Sequence, residues 1–233
     1  MPTPTAYRSP RAAATAAVVL LAVVGAATLF VLATDVRLFS LAGGLASGVV
    51  LAEQADFTDV DQLQQTAGTI HLVAFLVSAV VFVNWFQRVR ANAGVFDPLG
   101  HRFSQGWAVG GWVVPVGTLW IPRQIAGDIW KASGRPDESG VRPPAPQGLL
   151  NLWWGAFWIS NLLERIGSRI NSGAADWGSY RTSLLWIMAS DVLELVAAGL
   201  AAAVVLRLTG MQEQRCAEST VGPHGVHISA VEG

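Results

Sequence analysis

Of the 233 residues, 52 % are hydrophobic and 13 % are charged, and the mean hydropathy is +0.43. Soluble domains carry about twice that share of charge, so the composition excludes an ordinary soluble domain and points to a membrane protein. A formal net charge of -1 excludes the broad basic surface that nucleic-acid binding needs. A single cysteine, Cys216, excludes an intramolecular disulfide and any Cys-rich metal centre, and neither a metal nor a cofactor is implied.

Residues 1–11 carry Arg8 and Arg11 ahead of the uncharged run AAATAAVVLLAVVGAATLFVLAT at 12–34. Twenty-three residues suffice to cross about 30 Å of hydrocarbon at about 1.5 Å per residue. The run exceeds the apolar core of a cleaved signal peptide, about 7–15 residues, and is therefore expected to stay as a first span. From 35 to 65 the chain sets Asp35, Glu53, Asp56, Asp59 and Asp61 against a lone Arg37. The apolar stretch between them, Phe39–Ala52, is too short to span and is expected as a helix lying at or dipping into the interface. Residues 66–86 form the second span, with His71 near one end, Asn84 near the other, and Arg88 and Arg90 directly after it.

Residues 104–121 read SQGWAVGGWVVPVGTLWI, and Gly106, Gly110, Gly111, Pro115 and Gly117 spoil a continuous helix. The segment is expected to be re-entrant or a short broken fifth span. Pro122 then suits a first helical turn, and Ile121, Ile125 and Ile129 at spacing four predict an interfacial helix over 122–132, with Trp120 and Trp130 at headgroup depth. Residues 133–148 have the Pro, Gly and charge content of a linker. The next span is expected at 149–165, with Trp153, Trp154 and Trp158, and the last at 183–207. The polar tail 208–233 is expected to be disordered.

Inside that last span lie Asp191 and Glu194. Each acid near a helix centre costs about 2.5–3.5 kcal/mol on an insertion scale, while each Leu, Ile or Val returns about 0.3–0.6, so the span's eleven branched aliphatics offset the acids and leave little over. Protonation, a partner on another helix or a water-filled cavity has to compensate them.

Topology decides which partners they meet. If all five apolar segments cross, lysine and arginine divide eight to seven across the bilayer. If 104–121 does not cross, the division is eleven on the N-terminal side to four on the other. The positive-inside rule then favours four spans in the cell membrane, with the N-terminus and the tail cytoplasmic. In that arrangement Asp191, Glu194, His71, Asn161 and Arg165 come to similar depth, and a polar cluster becomes geometrically possible. With five spans it comes apart. The functional reading of the acids is a proton or cation site; the competing one is a structural pair bonded to neighbouring helices. The ten tryptophans read as belt and packing residues, with a quinone pocket around Trp107, Trp112, Trp153 and Trp154 as the minor alternative. No nucleotide-binding glycine loop, zinc-protease motif or nucleophile elbow occurs: GLASG at 44–48 has alanine where the elbow needs serine. No enzymatic activity is expected.

The stretches GWAVGGWVVPVGTLWIPRQIAGDIWKAS (106–133), LWWGAFWISNLLERI (152–166) and LRLTGMQEQR (206–215) together resemble the membrane family called domain of unknown function 4328, common in actinobacteria. Gly106, Trp107, Pro115, Trp120, Pro122, Trp130, Trp153 and Trp154 carry the likeness, with the terminal Gln and Arg. The resemblance covers roughly residues 65–215 and implies the architecture without assigning catalytic residues. Many relatives have a Pro-rich or Cys-bearing N-terminal extension that is not matched here. The expected fold is an all-α, multi-pass membrane bundle of four spans, a Gly/Pro-rich re-entrant or broken segment, and an interfacial helix. Beyond the lipid bilayer, the expected partner is another membrane protein or a second copy of the chain. The expected role is a non-enzymatic assembly or regulatory component working through residues 87–148; the alternative is a small transporter or ion-coupled module using Asp191 and Glu194.

Overall fold

Long runs of Ala, Val and Leu with no internal proline leave the backbone one economical way to satisfy its hydrogen bonds away from water, the α-helix. The computed structural model describes residues 7–47, 54–135 and 146–220. Its helices are α1 (Arg11–Ala46), α2 (Gln54–Phe96), α3 (Trp107–Val113), α4 (Ile121–Ser133), α5 (Gly148–Ser172) and α6 (Trp177–Thr220), with a 3₁₀ turn at Val116–Leu119 between α3 and α4. No strand occurs among the described residues. Three helices, α1, α2 and α6, are long and apolar enough to cross a membrane. At 25 residues α5 has the length, but Asn151, Asn161, Glu164 and Arg165 lower its apolarity and it is not among them.

Three boundaries differ from expectation. The stretch from Phe39 is not a separate interfacial helix: α1 runs unbroken through Ala46, because nothing between Asp35 and Ala46 interrupts a helix once started. Residues 48–53, which include the rest of that stretch, lie outside the described residues. Asp59 and Asp61 sit on α2, which begins at Gln54. The tail is helical as far as Thr220, since Met211–Arg215 are good helix formers and Leu208 and Gln212 are buried. Residues 221–233, and 136–145 of the expected linker, lie outside the described residues.

The chain divides into two compact units. One contains Ala12–Trp85 and Gln147–Val205, and in it α1, α2, α5 and α6 pack side by side. Up the α1–α6 seam, Thr28 meets Glu194 and the Arg181 guanidinium lies 4.2 Å from the Phe39 ring centre, so the two helices run antiparallel. Phe82 of α2 packs on Trp153 of α5 at 5.7 Å, the start of a chain of rings through Trp154 and Trp158. Helices α5 and α6 come close together at Gly167. A Cβ on Gly167 would stand 2.7 Å from Ile187 Cγ1 and 3.1 Å from backbone atoms of Ile187 and Ser183, so only glycine allows this spacing. Four residues join the two helices, and Asp176 caps α6: its Oδ1 accepts the Ser179 N–H at 2.8 Å and its Oδ2 the Ser179 hydroxyl at 3.0 Å. These bonds hold the Asp176 carboxyl below its ordinary range.

The other unit contains the N-terminal residues, Phe86–Pro146 and the chain from Leu206 onward. The segment 104–121 is broken, as its Gly and Pro content predicts: α3 ends at Val113 and the 3₁₀ turn starts after Pro115. Its glycines have a packing reason. A Cβ on Gly111 or on Gly117 would come 2.8 Å from the Ile121 side chain, so both let the segment fold back onto α4. Helix α4 forms where the isoleucine spacing predicts, but it does not present one apolar face and one wet face. Ile125, Ala126, Asp128, Ile129, Trp130, Ala132 and Ser133 are all buried, which makes α4 the packed centre of this unit rather than an interfacial helix.

That centre is held by polar contacts as well. Gln212, fully buried, donates to Val89 O at 2.8 Å and Ser133 Oγ at 3.2 Å, and accepts from Asn92 Nδ2 at 3.0 Å. Asn92 in turn bonds Arg8 through both backbone groups of that residue. Arg215 donates to the carbonyls that end α4, Ala132 and Gly134, and to Phe96 O at the end of α2, with its guanidinium over the Phe96 ring. A cation at two helix C-termini is favourable for both. Arg102 grips buried Asp128 through Nε and Nη2. Burial in this unit lowers the His101 imidazole below its ordinary range, against the opposing pull of the Ala93 carbonyl.

Candidate functional site

Five ionisable residues described in the four-helix unit, Asp35, His71, Glu164, Asp191 and Glu194, lie toward one another from its four helices. On α6, Asp191 and Glu194 are three residues apart and so share a face. From α2, His71 brings Nε2 to 3.2 Å from both carboxyl oxygens of Glu194. From α1, Thr28 Oγ1 lies 3.5 Å from Glu194 Oε2 while donating at 3.0 Å to Val24 O on its own helix. Glu194 is thus met by two helices.

Asp191 has a different partner. Its carboxyl lies within hydrogen-bonding reach of Asp35 of α1, which is 0 % exposed while Asp191 is 7 % exposed. Gln64 of α2 donates its amide N–H to Asp35 Oδ1 and accepts the Thr34 hydroxyl. The Oδ2 atoms of both aspartates are buried with no donor facing them. From α5, Glu164, itself exposed, lies near Ser190 and within electrostatic reach of Asp35, Asp191, Glu194 and His71. Each of the four helices therefore contributes at least one titratable group: Asp35 from α1, His71 from α2, Glu164 from α5, Asp191 and Glu194 from α6.

The five residues read from sequence as a cluster are placed unequally. His71 meets Glu194, and Asp191 sits one turn away on the same face. Asn161 turns its amide back onto its own helix, donating to Phe157 O at 2.7 Å. Arg165 is exposed and forms no ion pair with either acid. The side chains that sequence reasoning missed are Asp35, Glu164, Gln64 and Thr28. Asp35 and Glu164 each stand at the polar end of an apolar run, where a charge needs no explanation. A signal existed for Asp35: with no breaker after it, the helix continues and carries the acid inward.

The residues carrying the family likeness divide between the two units. Gly106 and Trp107 open α3, Pro115 marks the break, and Trp120, Pro122 and Trp130 belong to α4 and its start, in the α4-centred unit; Trp153 and Trp154 belong to the ring chain of the four-helix unit. The tryptophans weighed as a quinone pocket are likewise divided, Trp107 and Trp112 in one unit, Trp153 and Trp154 in the other.

A sequence-family model described as a domain of unknown function (DUF4328) matches residues 49–210, more than half of the chain and all of α5; α1 lies outside the match. No curated protein and no solved structure matches the chain.

Proposed function

Since the chain belongs to the family of the domain of unknown function 4328, whose description assigns no activity, we propose its function from the site itself: a small, non-enzymatic, ion-coupled membrane module that works through Glu194, Asp191 and the groups around them. The observation that carries this reading is the convergence of titratable groups from four helices in one unit. Ionisable side chains at membrane depth are costly and belong by default to ion or proton pathways. A structural role would need one bonded pair; five titratable groups exceed it.

The proposal includes four crossings, α1, α2, α5 and α6, with 104–121 remaining on the side of the N-terminus. Two observations support it. The chain leaves the α4-centred unit along α1, returns on α2, leaves on α5 and returns on α6. Of the eleven basic residues that the four-span count assigns to the N-terminal side, ten lie in the described part of that unit, against Asp97, Asp128, Glu213 and Glu218. The positive-inside rule makes this side cytoplasmic. Of the polar residues of α5, Glu164 then faces the acids.

The test is flux in proteoliposomes that enclose a pH-sensitive dye. Wild-type protein is expected to dissipate an imposed pH gradient, and the D191N/E194Q double variant to do so no faster than empty vesicles. Wild-type vesicles as tight as empty ones, or normal flux from the double variant, would return the protein to the reading of an assembly component acting through residues 87–148.

A further inference from the structure

The Asp35–Asp191 contact has features that the Glu194–His71 contact lacks. His71 Nε2 can donate to the Glu194 carboxylate or accept from its protonated form, so that pair is satisfied whatever its charge state. Asp35 and Asp191 offer each other only oxygen. Of their four carboxyl oxygens, Asp35 Oδ1 receives the Gln64 amide, while Oδ2 of each residue is buried with no donor. Both residues are more than nine-tenths buried. Two carboxylates held in contact away from water repel strongly, and a buried acceptor without a donor is costly. A hydrogen between the two carboxyls removes both penalties, as in other acid pairs that share a proton.

The groups facing the pair leave no other way to balance it. From α5 comes Glu164, from α6 Glu194 and the Tyr180 hydroxyl, and from α2 the neutral Gln64. Asp61 of α2 faces Tyr180, and His71 is turned to Glu194 and Glu164. Among the described residues, each ionisable group that faces the pair is itself an acid. Among the described residues no group of three or more His, Cys, Asp or Glu is placed to hold a metal ion, so the pair is not part of such a ligand set.

We infer that Asp35 and Asp191 form a proton-binding site, and that the single proton they share clamps α1 onto α6. The ligand is H⁺, taken up by one carboxylate oxygen and shared with the facing one, with no other bond made or broken. This proton is the coupling ion of the module proposed above, on which the inference rests. The site has a second property: Asp35 lies in α1, outside the family-matched residues 49–210, whereas Asp191 lies within them. The proton therefore joins the first helix to the family-matched helices. Raising the pH ionises the second carboxyl, sets two negative charges against each other across the seam, and loosens α1.

The experiment uses the full chain in lipid nanodiscs, in two measurements. Infrared spectroscopy is expected to show the carbonyl stretch of a protonated carboxylic acid in the wild type, shifted on exchange into D₂O, lost on raising the pH, and missing in both D35N and D191N. Melting temperature against pH is expected to fall with rising pH in the wild type and to be flat over that range in either variant, because asparagine supplies an N–H at every pH. If neither variant folds, the wild-type band and its loss with pH still decide: no such band at any pH overturns the inference. A band that persists in both variants, or melting curves with wild-type pH dependence in both, also overturns it. The flux experiment stands apart. A shared proton without flux would remove the transport reading and leave the clamp, and flux without the shared proton would do the reverse.

Discussion

Replacing Gln212 by leucine separates hydrogen bonding from packing in the α4-centred unit. Leucine has nearly the volume of glutamine, so no sizeable cavity opens, and the change falls on three hydrogen bonds: to Val89 O, to Ser133 Oγ and from Asn92 Nδ2. Val89 O keeps its helical partner, and Asn92 keeps Arg8 O at 2.8 Å. Buried Ser133 loses the Gln212 contact outright. At about 1 kcal/mol net per bond, with the stranded hydroxyl near the upper end of its range, the loss comes to about 3 kcal/mol. For a chain of this size, each kcal/mol moves the melting temperature by about 2–4 °C, so Q212L is expected to melt about 6–12 °C lower in detergent. The control is Q214L, two residues on and exposed, expected within about 0.5 kcal/mol of wild type. Equal melting temperatures for Q212L and Q214L would refute the reasoning, since they would mean that the buried amide network adds nothing that an apolar side chain cannot replace.

Two further outcomes test the helix packing and the crossings. Gly167→Ala places a Cβ 2.7 Å from Ile187 Cγ1 and against α6 backbone, at a cost of about 1–3 kcal/mol for overpacking, reduced by up to about 1 kcal/mol from better helix propensity; a lower melting temperature is expected, and a higher one would show that α5 and α6 are free to move apart. Cys216, half-buried on α6 in the α4-centred unit, is expected to react with a membrane-impermeant maleimide only after cells are permeabilised; labelling of intact cells would contradict four crossings with a cytoplasmic C-terminal end.

The helices were legible to the extent that their cause is local. Apolar length marked α1, α2 and α6, and the isoleucine spacing marked α4 to within a residue at each end. The break near Pro115 followed from the same rules. Misplaced boundaries share one cause, in that polar residues were read as ends of helices. Asp35 and the MQEQR stretch continue their helices because a helix stops at a breaker or an unsatisfied end, and polarity alone is neither.

By itself the sequence determined that the chain is helical, that it is built for a membrane, and that Asp191 and Glu194 need something to compensate them, because propensity, apolar length and the cost of a charge in hydrocarbon are properties of a segment. Which groups meet them was decided by tertiary structure. Asp35, His71 and Glu164 reach the acids from three other helices. Asn161 and Arg165, at an apparently suitable depth, do not. The physical reason is rotation about the helix axis: one residue turns a side chain by about 100°, so depth can be counted along the sequence, but the direction a residue faces is set by which helices pack together and at which small residues, here Gly167, they touch.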